Sequence, residues 1–306
     1  MSYPRAPGKV DIGSTTMRYI PVLYAGKLLV KYYDATVLSV ITNTNYEGEI
    51  KKHGDTVYIR TRPDMTIRDY VKGQTLVNEQ PESTATSLLI DQGKYWSFVT
   101  EDVDKIQTDI KSFIEEWTDD AAEQLRISID TAVLGSIYAS VDSNNTGATA
   151  GRKSGDINLG AAGSPFSLDK TNILDKIVDC GTVLDEQNVP EEGRWIILPA
   201  WACGMIKKSD LKDASLAGDA TSIMRNGLLG MIDRFTLYKS NLLSGTSSEQ
   251  NIIFGHRDAT TFATQLVENK VLDNPNGFGT LHRGLQVYGY KVVKPEAMGT
   301  LIAAKS

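Results

Sequence analysis

The sequence predicts an α+β protein, and three observations support this fold class. One helical pattern, residues 100–141, is much longer than any other in the chain of 306 residues. Most of the strand patterns form a run in the second half of the chain. The strict alternation of strand and helix that marks a parallel α/β fold is missing. Helices and strands grouped in this way are typical of an α+β fold.

The pattern of residues 1–45 predicts an extended N-terminal arm. The first 18 residues lack periodicity, and the apolar residues from Tyr19 onward are too closely spaced for a solvated tail. Because the arm has no evident core of its own, we expect it to dock on another surface, which could be a neighbouring chain. Neither a signal peptide nor a run of 18 apolar residues is seen, so we expect a cytoplasmic product without a membrane partner.

The pattern of residues 46–99 predicts an extended β-hairpin loop. Thr56–Thr61 alternates as a strand does, and a second strand pattern covers Leu88–Ile90 and continues over Lys94–Thr100. The polar stretch between them is far longer than an ordinary hairpin loop of about two to five residues. We therefore expect a projecting arm that needs a partner, because an isolated hairpin is only marginally stable in water.

The pattern of residues 100–141 predicts one long helix, here called the spine, with Thr100 as its N-cap. Its apolar residues recur every three or four positions, the period of a helix with one buried stripe. At 1.5 Å per residue the helix would be roughly 55 Å long, which one compact core cannot cover. From Ala121 onward the apolar residues are four apart, so the stripe rotates and different segments should pack on different partners.

Residues 142–167 are rich in Gly, Ser, Asn and Ala and have no period, which predicts a flexible surface loop. Residues 168–255 then mix helices and strands. The expected elements are a helix over Leu168–Gln187 with Ser167 as N-cap, a buried strand Trp195–Leu198, two short helices over Ala200–Ser209 and Ser209–Ala217, a hairpin after the Asn226-Gly227 turn, and a strand Asn251–Phe254.

The patterns in residues 256–306 predict strands that complete the sheets. These strands are Thr260–Val271, Leu285–Val293 and Thr300–Ala304.

Residues that could carry chemistry are scattered. The three histidines have no Cys, Ser or metal-ligand companion at a useful spacing, and Cys180 and Cys203 are expected to be buried free thiols. We therefore predict no catalytic residue, no cofactor and no metal, with an enzyme of unrecognised site as a remote alternative. The net charge of −6 gives no general attraction to nucleic acid.

One charge pattern predicts an assembly interface between copies of the chain. Basic residues gather on the hairpin loop and acidic pairs lie on the spine, although the acidic pairs could also be the solvated face of a helix. With Tyr70, which lies among the basic residues, the candidate interface residues are Arg60, Arg62, Arg68, Tyr70, Lys72, Glu115, Glu116, Asp119 and Asp120.

The order of several short patterns resembles the major capsid proteins of tailed bacteriophages, the Hong Kong 97-type fold. The patterns are GDTVYI, DYVKGQTLVNEQ, LLIDQGKYWSFVTEDVDKIQ, AEQLRISIDTAVL, WIILPAWACGMIKKSDL, IMRNGLLGMIDRFTLYKSNLL and LQVYGYKVVKPEAM. The positions that match best are Gly54-Asp55, Tyr70, Gly73, Asn226-Gly227 and Tyr288-Gly289.

The resemblance implies that residues 1–45 are the N-terminal arm, 46–99 the extended loop and 100–141 the spine of a peripheral domain. Residues 168–255 would be mainly the axial domain, and 256–306 would return to the peripheral domain. It implies a structural protein of the virion capsid, assembled in the host cytoplasm as hexamers and pentamers of an icosahedral shell around double-stranded DNA, which it encloses without sequence-specific binding.

The resemblance also implies partners. Because the chain does not start with a helical scaffolding segment, a separate scaffolding protein is expected, together with a portal and a possible decoration protein. An encapsulin-like nanocompartment shell of the same fold is the nearest alternative function, and a tail or baseplate protein is another.

Overall fold

The structure is a computed structural model that describes residues 33–34, 36–45, 56–63, 65–83, 85–103, 113–209, 230–246 and 248–306. Four α-helices lie in these ranges: α1 (Leu38–Ile41), α2 (Phe113–Ile137), α3 (Ile173–Glu186) and α4 (Ala200–Lys208). Eleven strands lie in them: β1 (Thr56–Arg60), β2 (Ala85–Leu89), β3 (Gln92–Glu101), β4 (Phe166–Leu168), β5 (Arg194–Leu198), β6 (Met231–Ile232), β7 (Phe235–Lys239), β8 (Gln250–His256), β9 (Thr260–Asp273), β10 (Gly279–Val292) and β11 (Met298–Lys305).

The strands form three sheets. A two-stranded sheet holds β1 and β2, and a three-stranded sheet has the order β3-β10-β9. A six-stranded sheet has the order β4-β11-β8-β5-β7-β6. Antiparallel pairing dominates, and only β4 with β11 and β5 with β7 pair in parallel. The mixed sheets and separate helices confirm the predicted α+β class.

The described end of the N-terminal arm docks on its own chain. Around α1, the side chains of Val37, Leu38 and Ile41 are buried in the main core. Asn43 forms a parallel bridge with Thr261 at the edge of β9. The docking surface for residues 36–45 is therefore the same molecule, while most of the arm lies outside the described residues.

The extended loop begins with the predicted hairpin, whose strands β1 and β2 pair from Thr56↔Leu89 to Arg60↔Ala85. The prediction that the second strand continues over Lys94–Thr100 is wrong. That stretch belongs to β3, which leaves the hairpin and pairs with β10 along its whole length. Periodicity identifies a strand, whereas the choice of partner depends on residues almost 200 positions away in the sequence.

The spine helix is confirmed over Phe113–Ile137, a length of about 38 Å. Thr100 is not its N-cap, because β3 runs through Thr100 to Glu101. Residues 104–112 lie outside the described residues. Along the helix the packing partner changes, as predicted: Trp117 meets Phe98 of β3, whereas Ile129, Val133, Leu134 and Ile137 enter the main core.

The structure also corrects the prediction of an unpacked flexible loop for residues 142–167. Ala150 and Leu159 are fully buried in the main core. The buried amide of Asn145 donates to the carbonyl oxygens of Glu296 and Met298, at 2.8 and 2.9 Å. Glu186 accepts hydrogen bonds from the backbone N–H groups of Lys153 and Ser154, which lowers the pKa of its carboxyl group. Specific long-range bonds order this segment although its composition is poor in apolar residues.

The six-stranded sheet contains the most buried strand, β5, in which all five residues are buried as the apolar run predicted. Arg194 at its start donates to Asp185 and to the carbonyl oxygens of Pro190 and Val189. These bonds tie the end of α3 to the sheet and satisfy a buried guanidinium. Cys180 and Cys203 are free and buried, as predicted, and burial raises the pKa of the Cys180 thiol.

The predicted N-cap of α3 is wrong, whereas the predicted β6–β7 hairpin is present. Ser167 lies in β4 and does not cap α3, which begins only at Ile173. The β6–β7 hairpin turns at Asp233 and Arg234, both with positive φ, as a tight two-residue hairpin requires. The Asn226-Gly227 turn and the helix over Ser209–Ala217 lie outside the described residues, apart from Ser209.

None of the helices in the described ranges combines the length and the apolar character needed to cross a membrane.

Candidate assembly interface

The distal loop, residues 61–83, carries apolar side chains that its own chain leaves uncovered. Its described residues are exposed, except for partly buried Pro63. Ile67 is 92% exposed and Leu76 is 64% exposed. The complete set of exposed large apolar residues on this loop is Met65, Ile67, Tyr70, Val71, Leu76 and Val77. Exposed apolar side chains gathered on one projecting segment are typical of protein–protein contact sites.

Side-chain bonds keep the distal loop in hairpin register although no ladder extends over it. Thr66 donates to the carboxylate of Glu79 from its backbone N–H and from its hydroxyl, at 3.3 and 3.0 Å. Gln74 N–H donates to the Val71 carbonyl oxygen at the tip, where Gly73 has a φ of 89°. Both pairs continue the register set by Arg60↔Ala85. The loop is thus a narrow arm that returns on itself with its side chains facing outward.

A small apolar cluster seats the base of the hairpin on the body. Ile59, Leu88 and Ile90 pack with Ala263 of β9, while Val57, Val287 and Val293 close the cluster from the sides. Gly289 of β10 faces this base so closely that an added Cβ would lie 2.3 Å from the Leu89 carbonyl oxygen. The Tyr288-Gly289 pattern was part of the family resemblance, but local sequence patterns did not indicate that Gly289 lies against the base of the hairpin.

The predicted basic residues all lie on the extended loop. Arg60 ends β1 and is exposed, and the others follow the loop toward its tip, where Tyr70 is also exposed. No described residue forms an ion pair within 4 Å with any of Arg60, Arg62, Arg68 and Lys72. The charge of the arm is therefore available to a molecule other than its own chain.

The predicted acidic residues lie near the start of α2. Glu115, Glu116 and Asp119 are exposed, whereas Asp120 is partly buried and accepts a hydrogen bond from the Tyr33 hydroxyl at 2.9 Å. This bond raises the pKa of Tyr33. Asp120 thus has a partner in its own arm, which the sequence pattern did not indicate. The structure does not bring the basic and acidic sets together within one chain.

Aromatic residues support the acidic end of α2. Phe98 of β3 stacks on Trp96 and on His282, with ring centroids 5.5 and 4.9 Å apart, and meets Trp117 edge to face at 5.8 Å. Trp117 remains about half exposed, directly between the acidic pairs. The spine therefore presents an apolar ring among carboxylates, a surface complementary in kind to the basic and apolar distal loop.

Within the described ranges, no group of three or more His, Cys, Asp or Glu side chains is arranged to hold a metal ion.

Comparison with known proteins places the chain in a family. A sequence model of the family described as phage capsid protein matches residues 84–301, which is well over half of the chain. No curated protein sequence matches the chain significantly.

Solved structures agree in fold. A structure from Mycobacterium phage Che8 matches with a TM-score of 0.77 at 27% identity, covering 92% of this chain and 96% of that chain. The capsid of Cyanophage P-SCSP1u matches with a TM-score of 0.71 at 14% identity, covering 100% of both chains. The mature capsid of bacteriophage PhiM1 matches with a TM-score of 0.61 at 13% identity, covering 99% of both chains. The chain therefore belongs to the phage capsid protein family and is a bacteriophage major capsid protein with a Hong Kong 97-type fold.

Proposed function

We propose that this capsid subunit assembles as hexamers and pentamers into an icosahedral shell that encloses double-stranded phage DNA. The observation that carries the proposal is the distal loop, a long arm whose six large apolar side chains are 64–92% exposed. Ordering such an arm costs conformational entropy, and the contacts within one chain do not offset this cost. Contacts with other chains would supply the missing stabilisation.

Contacts with neighbouring copies would supply the missing burial. Covering a large apolar side chain completely contributes about 1.5–3 kcal/mol. Several of the six side chains together would exceed the cost of ordering the interface. Repetition of this contact around a closed ring gives each copy the same role as donor and acceptor of an arm, as a cyclic heterologous interface requires.

Charge would select where the arm docks. The basic residues of the extended loop would meet the acidic residues Glu115, Glu116 and Asp119 near the start of the neighbouring spine. Trp117 between them would cover part of the apolar loop surface. Opposite charges at this contact would steer encounter and fix register more than they would add affinity. Asp120 would take part less directly, because it already binds Tyr33 of its own arm.

The sheets would define the two domains of the shell subunit. The spine helix and the β3-β10-β9 sheet would form the peripheral domain, and the six-stranded sheet with α3 and α4 would form most of the axial domain. The main core joins the C-terminal half of the spine to the six-stranded sheet, so we expect the two domains to move as one unit around the more weakly seated hairpin.

The remaining parts of the proposal concern the contents and partners of the shell. A net charge of −6 is compatible with a shell that encloses DNA without binding it tightly. We further propose assembly in the host cytoplasm with a separate scaffolding protein and a portal, and a decoration protein as an optional further partner.

A structural role also fits the titratable groups. Four of those with shifted pKa values are engaged in bonds that hold the fold together: Asp130 with Val37 and Leu38, Asp169 with Thr171 and Asn172, Glu186 with Lys153 and Ser154, and Tyr33 with Asp120. The other three among the described residues, Cys180, Cys203 and Tyr288, have pKa values raised by burial. An enzyme would instead direct such groups at a substrate. The match to the phage capsid family likewise supports a genome shell over an encapsulin-like compartment.

Electron microscopy of the purified, concentrated chain tests the proposal. We expect closed icosahedral particles from the wild-type chain. A variant with Asp64–Gln80 deleted and replaced by a short turn should remain soluble and keep its helical circular dichroism signal, yet form no closed shell. Closed particles from the deletion variant would contradict the role proposed for the arm.

A further inference from the structure

A short segment of the N-terminal arm, here called the strap and comprising residues 36–45, lies across the spine and ends at the edge of β9. At its far end Asn43 N–H donates to the Thr260 carbonyl oxygen, and Phe262 N–H donates to the Asn43 carbonyl oxygen, both at 3.0 Å. At its near end, the hydrogen bonds from the strap to the spine among the described residues both go to the side chain of Asp130. The polar attachment of the strap to α2 therefore depends on one carboxyl group, beside the burial of Val37, Leu38 and Ile41 in the main core.

Both bonds from the strap reach the same oxygen atom. Oδ2 of Asp130 accepts from the backbone N–H of Val37 at 2.6 Å and from that of Leu38 at 3.1 Å. A carboxyl oxygen can accept two such bonds with its two lone pairs. The other oxygen, Oδ1, can therefore take up a proton without breaking either bond to the strap.

The carboxyl group of Asp130 is buried without a counter-ion, since the residue is only 4% exposed and forms no ion pair within 4 Å among the described residues. Asp130 lines a cleft at the surface of the spine, and the two basic side chains that line this cleft are otherwise engaged. Arg126 pairs with Glu123 at 2.6 Å, and Arg257 Nε donates to the Thr42 carbonyl oxygen at 3.4 Å.

Apart from these two arginines and Asp130 itself, the described residues that line the cleft carry no charge. Residues 36–45 contain no ionisable side chain. The β9 and β10 residues that line the cleft, Phe262, Thr264 and Gln286, are also uncharged. A buried carboxylate in such surroundings is costly unless it becomes neutral.

We propose that seating of the strap is linked to proton uptake at Oδ1 of Asp130, so that the strap leaves the spine more readily as the pH rises. Asp130 is then a positioning residue that gives the N-terminal arm two positions. The inference concerns one chain and does not depend on the proposed shell.

The direction of the effect follows from linkage. Desolvation raises the pKa of Asp130, and the two N–H bonds from the strap only partly oppose it. With the strap detached, the carboxyl group would be solvated and its pKa would return toward the ordinary value. The seated form thus binds the proton more tightly, so it is favoured at low pH and loses that advantage as the pH rises through the raised pKa.

Amide hydrogen exchange of the full-length chain tests the inference. Protection factors of the Val37 and Leu38 amides, corrected for intrinsic exchange rates, should fall at least about threefold as the pH rises from the ordinary Asp pKa of about 3.9 to about pH 8. Amides of the buried strand β5 serve as the internal control and should not change. Wild-type protection that is constant, or that increases with pH, would overturn the inference.

Two variants separate the proton from the hydrogen bonds. Asp130→Asn imitates the protonated form, with an amide oxygen in place of Oδ2, and should keep the strap protected at every pH. Asp130→Ala removes the acceptor and should leave both amides weakly protected at every pH. An Asn variant that follows the wild-type pH dependence would contradict the role of Asp130.

A measurement on the wild-type chain decides the matter even if a variant fails to fold. The carboxyl ¹³C chemical shift of Asp130 should titrate with the same midpoint as the loss of protection at Val37 and Leu38. Two clearly different midpoints would show that another group controls the strap.

Discussion

Replacing Ile67 and Leu76 by serine should block shell assembly without unfolding the subunit. Both side chains lie on the distal loop and are mostly exposed in the single chain. Substitutions at exposed positions of this kind change the free energy of unfolding by less than about 0.5 kcal/mol. Any large effect on assembly must then arise from contacts between chains.

The size of the effect follows from the exposed fractions. Full burial of a large apolar side chain contributes about 1.5–3 kcal/mol. Ile67 is 92% exposed and Leu76 is 64% exposed, so the two together can gain about 2–5 kcal/mol per subunit contact on burial. Because about 1.4 kcal/mol corresponds to a tenfold change in an equilibrium constant, the double variant should weaken each contact at least about 30-fold.

Light scattering over a concentration series gives the critical concentration for assembly, and thermal unfolding of the unassembled subunit gives its stability. The matched control is Ile67→Leu with Leu76→Ile, which keeps the apolar surface and should assemble at nearly the wild-type concentration. Wild-type assembly by the serine variant would refute the reasoning, as would a subunit destabilised by several kcal/mol, since that would place the side chains in the chain's own core.

Three further predictions concern charge and packing. Reversing the hairpin charges should leave the subunit folded by circular dichroism but unassembled by size exclusion. Mixing with a spine-reversed subunit should restore association between the two variants, because each arm then meets a neighbouring spine of opposite charge. The reversed positions are Arg60, Arg62 and Arg68 on the hairpin and Glu115, Glu116 and Asp119 on the spine. Leu159→Ala should lower the free energy of unfolding by about 2–5 kcal/mol in a denaturant titration, because this side chain is fully buried, whereas Asp156→Ala at an exposed position should change it by less than about 0.5 kcal/mol. Gly289→Ala should cost about 1–3 kcal/mol and lower the melting temperature, because the new Cβ would overlap the Leu89 carbonyl oxygen; an unchanged melting temperature would show that the hairpin base moves freely.

Regular elements of this fold could be predicted from local patterns. Alternating or continuous apolar residues located β1, β5, β8, β9, β10 and β11 to within a few residues, except that β10 begins six residues before the predicted start. The exposure of the distal loop was also predictable, because its apolar residues are isolated and share no face of a helix or strand.

Features that depend on distant partners could not be predicted. The segment 142–167 looked unpacked because its composition is polar, yet Asn145 finds buried acceptors about 150 residues further along the chain. Gly160 there has a φ of 72°, and an added Cβ would lie 2.2 Å from the Ile302 carbonyl oxygen. Composition measures the apolar area that a segment offers, whereas these contacts depend on the exact approach of two backbones.

The charged residues of the candidate interface could be predicted from the sequence. The surface that they form, and the contacts that some of them make within their own chain, could be predicted only in part. The clustering of Arg60, Arg62 and Arg68 on the hairpin, opposite in sign to the acidic pairs on the spine, was visible in the sequence. The bond between Asp120 and Tyr33, and the role of Asp130 under the strap, were not, because a helix pattern shows which residues share a face and leaves open what covers that face.

Limited proteolysis before and after assembly tests the central claim most directly. In the free subunit, the first cleavage should fall within the distal loop, residues 61–83, because its backbone is exposed and forms no strand ladder. In assembled particles of the same chain, the loop should resist cleavage under identical conditions, since neighbouring subunits would cover it. Equal cleavage of the distal loop in free subunits and in closed particles would contradict the account.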